Sequence, residues 1–428
     1  MKITVVGGGS TYTPELIEGF VNRPQLAIDE LVLYDIDAER LGIVGGLAGR
    51  ILKRMGFPGR LTLSTDLDAS VAGASAVLIQ LRVGGQTARL TDETLPNQLG
   101  LLGQETTGPG GFFKALRTVP VVLHIADRVR ALAGPDCWII DFTNPVGIET
   151  RALLDAGHKA LGLCNVAIGF QRRFATRFGV DADDVWLDHA GLNHLTWIRS
   201  VKVKGEERLD DLLNAPDAPE YIGGHYSFPY DCIKALGAIP SYYLDYFYAT
   251  DAKLAEQMSG SHRAAEVMQI EHDCLEMYKD PALDRKPELL ERRGGAYYST
   301  AAAALATSLL TGDGGHHYVD IRNNGTIPGL PDEAVVEVPA VVDQDGAHPD
   351  VIAPLAPEAL GLVQAVTSYE VLTIEAATSG DRTIAKRALV ANPLVRQWDK
   401  ADAVFDLMAP VNERYLPAFF PHCACDQL

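Results

Sequence analysis

The chain has 428 residues, of which 47% are hydrophobic and 22% charged, with a formal net charge of −19. That length exceeds one ordinary core, so two domains are expected. The acidic balance leaves no basic stripe for nucleic acid, although a few local arginines can still serve a small anionic substrate.

The opening MKITVVGGGS has no signal-peptide layout, and no run of about 18 apolar residues is present to span a membrane. Six cysteines lie far apart, at 137, 164, 232, 274, 423 and 425. Such sparse thiols suit a reducing cytoplasm better than a disulfide framework.

In chain order, ITVVG (3–7) reads as a short buried strand and 13–23 as a helix. LVLYD (31–35) reads as a second strand, followed by a helix over 38–52. Strands follow at 60–66 and 74–82, a helix around 112–133, and strands at 137–145 and 160–165. Short continuous apolar runs alternating with helices mean a parallel sheet buried on both faces. The expected fold class is α/β, with a Rossmann-like doubly wound sheet over 1–165. An α+β substrate domain is expected over 166–428, opening with a helix at 168–178 and strands within 184–201.

The first turn, VVGGGSTYT, supplies Gly7, Gly9, Ser10 and Thr11. Glycines there let a pyrophosphate approach the backbone at a helix N-terminus. Tyr12 stands where the third fingerprint glycine is missing. Asp35 closes the next strand and is placed to bind the ribose hydroxyls of NAD. A tight turn in a nucleotide-free protein is the competing reading.

Several strand ends carry polar groups that folding alone does not require. These are Arg82 in QLRVGG, Asn144 in FTNPVG, and Cys164 with Asn165 in GLCN; Glu105 lies in the loop GQETTGPGGFF. In an open parallel sheet such positions line the ligand crevice. Cys164 alone reads most simply as core filling. DHAGLNHLTW adds His189 and His194, and a Cys/His pair suits a borderline divalent ion with open positions left for substrate. IPSYYLDYFY holds Tyr242, Tyr243, Tyr246 and Tyr248, and SHRAAEV holds Arg263. Aromatic stripes are usually core, but a phenol near positive charge can act as a base. The small-residue run at 300–310 reads as packing, with a subunit interface as an option. His422, Cys423 and Cys425 in the tail read as a solvated end, with metal binding as the lesser reading.

Taken jointly, GLCN, GLNH, QLRVGG, GQETTGPGG, PSYYLDYF, RGGAYYS and NNGTIPGLP resemble glycoside hydrolase family 4, the NAD- and metal-dependent glycosidases. This family departs from the two-carboxylate rule of other glycosidases. The resemblance implies Cys164 and His194 as ligands of a divalent ion, usually Mn²⁺. It implies Tyr243 as the base that takes the C2 proton of the sugar. It implies Arg82, Asn144 and Arg263 as substrate contacts. Asn165, where α-acting members carry an acid, is similar to the β-acting branch, and RGGAYYS and NNGTIPGLP resemble the 6-phospho-β-glucosidases. The implied substrate is a phosphorylated disaccharide or aryl glycoside, and the implied assembly a homodimer or homotetramer. One departure is Gln98, where many members carry lysine. It leaves an unphosphorylated glycoside open as substrate, with Arg89 or the Arg292–Arg293 pair as replacement charge. Rival readings are a malate-like 2-hydroxy-acid dehydrogenase, suggested by TNPV, and a nucleotide-binding regulator.

Overall fold

The structure is a computed structural model, and it describes residues 1–421 apart from 261, 295 and 296. The tail residues His422, Cys423 and Cys425 lie outside the described residues. Thirteen strands form one sheet. They are β1 Lys2–Val6, β2 Glu30–Tyr34, β3 Arg60–Ser64, β4 Ala76–Ile79, β5 Trp138–Asp141, β6 Ala160–Leu163, β7 Val185–Leu192, β8 Leu195–Val203, β9 Glu206–Glu207, β10 Ile239–Pro240, β11 Gly315–Arg322, β12 Val335–Asp343 and β13 Gly346–Pro349.

The first six strands are parallel in the order 3-2-1-4-5-6, the doubly wound arrangement that their apolar runs predict. Their central residues are buried on both faces, as Ile3, Leu31, Val77 and Ile140 show. The sheet then continues past β6 through antiparallel β11, β12, β7, β8 and β10. Helices Thr13–Val21, Ala38–Arg54, Gly108–Leu132 and Val166–Phe178 cover it.

Two predicted strands are shorter than their apolar runs. β4 stops at Ile79 and β5 at Asp141, because Arg82 and Asn144 leave the ladder for the loops of the crevice. The run GPGG, expected in a loop, forms the first turn of the helix Gly108–Leu132. The small-residue helix Tyr298–Thr311 buries Ala302, Ala303, Leu305 and Ala306 inside this chain. It lies against the helix Thr13–Val21, where a Cβ on Gly19 would come within 2.9 Å of the Ser299 carbonyl. Helices Pro357–Ser379, Arg382–Ala391 and Trp398–Met408 carry no motif. With the helix Gly108–Leu132 they enclose a second core around Phe112, Phe113, Ala388 and Phe405.

One row of partners crosses the middle of the sheet. Ile79 pairs with Asp141, Asp141 with Gly162, Gly162 with Asp320, Asp320 with Glu337, and Glu337 with Gly191. Directly paired residues project to the same face. The row therefore lines up three carboxylates one layer below the strand ends that carry Asn144 and Cys164. Glycine at 162 is required by crowding. A Cβ there would lie 2.2 Å from Thr150 Oγ1 and 2.7 Å from Asp320 Cβ.

Candidate active site

The glycine turn is held from three sides. Gly7 has φ +85°, and a Cβ there would meet the Gln80 carbonyl at 2.6 Å. The amides of Gly7 and Gly8 both donate to the Tyr34 carbonyl, at 2.9 and 2.8 Å. The Gly9 amide donates to Asp35 Oδ2 at 2.8 Å, and the Asp37 amide to Asp35 Oδ1 at 3.0 Å. Ser10 Oγ accepts from the Tyr12 amide at 3.3 Å. The Thr11 side chain is fully buried with Oγ1 turned to Glu271, so what Thr11 offers a ligand is backbone.

Beneath the turn, Arg40 donates to the Gly9 carbonyl at 2.7 Å and pairs with Glu271 at 3.0 Å. Arg293 pairs with the same carboxylate at 3.0 Å and covers the Tyr12 ring at 4.3 Å. Tyr12, in place of the third glycine, is thus part of the anchor. Burial raises the Glu271 carboxyl, but Arg293 and Arg40 outweigh it and hold the group at about 2. A depressed native value contributes stability above the unfolded carboxyl range, and this is lost as pH falls toward 2. We expect Glu271→Gln to cost about 3 kcal/mol at neutral pH. Urea unfolding of both proteins should show that deficit shrinking between pH 4.5 and about 2; a pH-independent deficit would contradict the charge assignment.

The polar residues of the strand ends gather at the other end of the crevice. Cys164 directly follows β6 and is 1% exposed. Burial raises its thiol, nearby Glu337 and Asp320 raise it further, and hydrogen bonds from the Val166 amide and Tyr298 oppose them. His194 is 4% exposed with φ +64°. Burial holds its imidazole neutral down to about 3, so one ring nitrogen is available for coordination. The ring stacks on Tyr243 with centroids 3.7 Å apart and planes 11° from parallel. This meeting follows from chain pairing. The Ser241 amide donates to the Thr196 carbonyl at 2.8 Å and Ser241 Oγ accepts from the Tyr243 amide, which moors the tyrosine segment beside the β7–β8 turn.

Tyr243 is buried, and its phenol is pushed up by burial and by Cys164, Tyr246 and Glu105, while Arg89 pulls it down. The bare phenol therefore stays protonated at neutral pH. A divalent cation beside it would reverse that balance. The donor set fits such an ion: one sulfur and one neutral imidazole suit borderline metals. Among the described residues no group of three or more His, Cys, Asp or Glu converges as a metal cage. A site with only two protein ligands would leave coordination positions open for other oxygens.

A charged cluster adjoins Tyr243. Glu105 is contacted by Arg82, by Lys114 at 2.6 Å and by Arg89 at 3.3 Å. Burial raises Glu105, yet Arg82, Lys114 and Arg89 prevail and hold it well below the carboxylate range. Lys114 is lowered to about 7 by burial and by Arg82. Arg89 also pairs with Glu93 at 2.8 Å, and Glu93 accepts from the Ala264 amide at 2.8 Å. Arg263, next to Ala264, is 42% exposed and holds Glu266 and the Arg292 carbonyl, outside the cluster. Gln98 is exposed in the turn Pro96–Leu99. The cation that acts on the tyrosine is Arg89, with Arg82 and Lys114 joined to it through Glu105. Arg293 is committed to Glu271.

Asn144 Oδ1 is buried without a hydrogen-bond partner among the described residues, and Asn165 stands at the N-terminus of the helix Val166–Phe178. A cavity of about 40 Å³ is bordered by Thr106, Pro145, His194, Phe247 and Glu370. Below lies the carboxylate row, where burial pushes Asp141 up to about 8 and raises Asp320 well above its ordinary range. Sequence reasoning missed Tyr298, Lys114 and Glu337. Tyr298 was visible inside RGGAYYS, and Glu337 as a lone acid in the apolar run VVEVP.

Residues 2–180 match the Family 4 glycosyl hydrolase profile, and residues 189–395 match the Family 4 glycosyl hydrolase C-terminal domain. The chain belongs to glycoside hydrolase family 4. Its family 4 relatives include a probable 6-phospho-β-glucosidase of Bacillus subtilis, 40% identical over 98% of both chains. Another is a 6-phospho-β-glucosidase of Escherichia coli, 35% identical over 98% of this chain and 97% of that one. The 6-phospho-β-glucosidase of Thermotoga maritima, solved with manganese, NAD⁺ and glucose-6-phosphate, superposes with a TM-score of 0.90. It is 36% identical, and the match covers 97% of this chain and 99% of that one.

Proposed function

We propose that this family 4 enzyme hydrolyses 6-phospho-β-glucosides, using NAD⁺ and a divalent metal such as Mn²⁺. The observation that carries the reading is the stack of Tyr243 on His194 beside the thiol of Cys164. The relatives named above support the substrate class. When bound, NAD⁺ would take a hydride from sugar C3 and give it back to C3 at the end of the cycle, and the metal would serve as Lewis acid for the intervening ketone.

Cys164 and His194 hold the metal, and Gly7, Gly9, Ser10, Thr11 and Asp35 hold the nucleotide. Tyr243 removes the proton from C2, the C1–O bond breaks toward the aglycone, and water adds at C1. Tyr243 then returns its proton to C2. Asn165, being neutral, orients the C1 side by hydrogen bonding. In this reading Arg82 and Asn144 contact the sugar and Arg263 its phosphate, for which Arg263 would have to leave Glu266 and the Arg292 carbonyl. Residues 1–165 serve the cofactor and 166–428 the substrate. The working assembly is a homodimer or homotetramer in the cytoplasm, where Cys164 stays reduced. No described helix is long and apolar enough to cross a membrane.

The test uses p-nitrophenyl β-glucoside 6-phosphate with NAD⁺ and Mn²⁺. Nitrophenolate should appear without lasting NADH absorbance, and the unphosphorylated glucoside should react far more slowly. Equal rates on both would remove the phosphate from the assignment. Stoichiometric NADH would favour a dehydrogenase.

A further inference from the structure

Glu337 is 1% exposed and sits in β12 opposite Gly191 of β7. Its Oε1 lies 2.6 Å from His189 Nε2, and its Oε2 accepts from Asn193 Nδ2 at 2.8 Å. The β7–β8 register shifts between Leu187 and His189, and such an irregularity re-aims the side chain that follows it. Here it brings His189 to the carboxylate. Leu192 pairs with Leu195, so Asn193 and His194 are the two central residues of a hairpin turn. Two-residue hairpins favour turns with positive φ at the first central residue. In this turn only His194 has positive φ. The twist of the strands therefore does not by itself select this turn, and a side-chain tether is needed to hold it.

We propose that Glu337 is a positioning residue, which fixes the Asn193–His194 turn through Asn193 and so keeps the His194 imidazole flat against Tyr243 and ready to bind metal. This rests on the reading of His194 as a metal ligand. Nothing in the reaction requires Glu337 to touch substrate.

The test compares full-length wild type with Glu337→Gln, Asn193→Ala and His194→Ala, each loaded with NAD⁺. Free Mn²⁺ is followed by electron paramagnetic resonance. Glu337→Gln removes the charge from the oxygen that accepts from Asn193 and so weakens that link. Mn²⁺ affinity should fall by about 10- to 100-fold, the usual effect of losing a group that orients a metal ligand. NAD⁺ affinity should stay within about twofold, since the nucleotide turn is untouched. The double variant Glu337→Gln/Asn193→Ala should lose little more than the worse single, as expected for one shared link. Wild-type Mn²⁺ affinity in Glu337→Gln, with His194→Ala impaired, would overturn the positioning role alone. Wild-type affinity in His194→Ala would overturn the metal-ligand reading itself. Should Glu337→Gln fail to fold, Asn193→Ala reads the same link, and unchanged Mn²⁺ affinity there would overturn the proposal.

Discussion

Replacing Tyr243 with phenylalanine is expected to lower kcat on a 6-phospho-β-glucoside by about 10²- to 10⁴-fold, the range for loss of a general base. The substitution removes the phenol oxygen and keeps the ring, so the stack on His194 at 3.7 Å survives. NAD⁺ and Mn²⁺ affinities should therefore remain near wild type, and KM should move less than kcat. Exchange of the C2 hydrogen with solvent deuterium separates the base step from the rest. Wild type in D₂O should place deuterium at C2 of the product, and the variant should not. Exchange at an undiminished rate would move the base to another group. Arg89→Met should act in the same direction more weakly, because Arg89 is a cation that pulls the Tyr243 phenol down.

Cys164→Ser should have the largest effect on metal dependence. Serine is nearly isosteric, and position 164 is 1% exposed, so the fold tolerates it. A hydroxyl is a poor replacement for a thiolate at a borderline ion. Mn²⁺ affinity should drop on the order of 100-fold or more, beyond what losing an orienting neighbour costs, and turnover should vanish at ordinary metal concentrations. NAD⁺ binding, measured by fluorescence quenching, should persist within about twofold, since the glycine turn and Asp35 do not contact this thiol. Full activity in the serine variant would return Cys164 to the core and end the two-ligand description.

The nucleotide half was legible because buried parallel strands announce themselves as unbroken apolar runs. ITVVG, LVLYD and ALGL each became a strand within a residue or two of their expected ends. The residues at those ends then fell into the crevice by topology. The proposed metal-binding pair was harder. Cys164 and His194 lie thirty positions apart, and only the joint likeness to a family linked them. Strand register was invisible. Asp141, Asp320 and Glu337 each looked like an isolated acid in an apolar strand, and nothing in the spacing reveals that three strands bring them into one row. The helices Pro357–Ser379 and Arg382–Ala391 show the same limit. Apolar faces are readable from sequence, but the partner that covers them is known only from the packed chain.

The unbroken sheet has a mechanical consequence. β6 is bonded on one edge to β5 and on the other to β11. A hinge between two lobes would have to break this backbone ladder, unlike enzymes that close by rotating independent domains about a few loop residues. Substrate entry and product release are thus left to loops and side chains around a rigid floor. The same ladder should make the chain unfold as one cooperative unit, with the cofactor end and the tyrosine end melting together rather than in sequence.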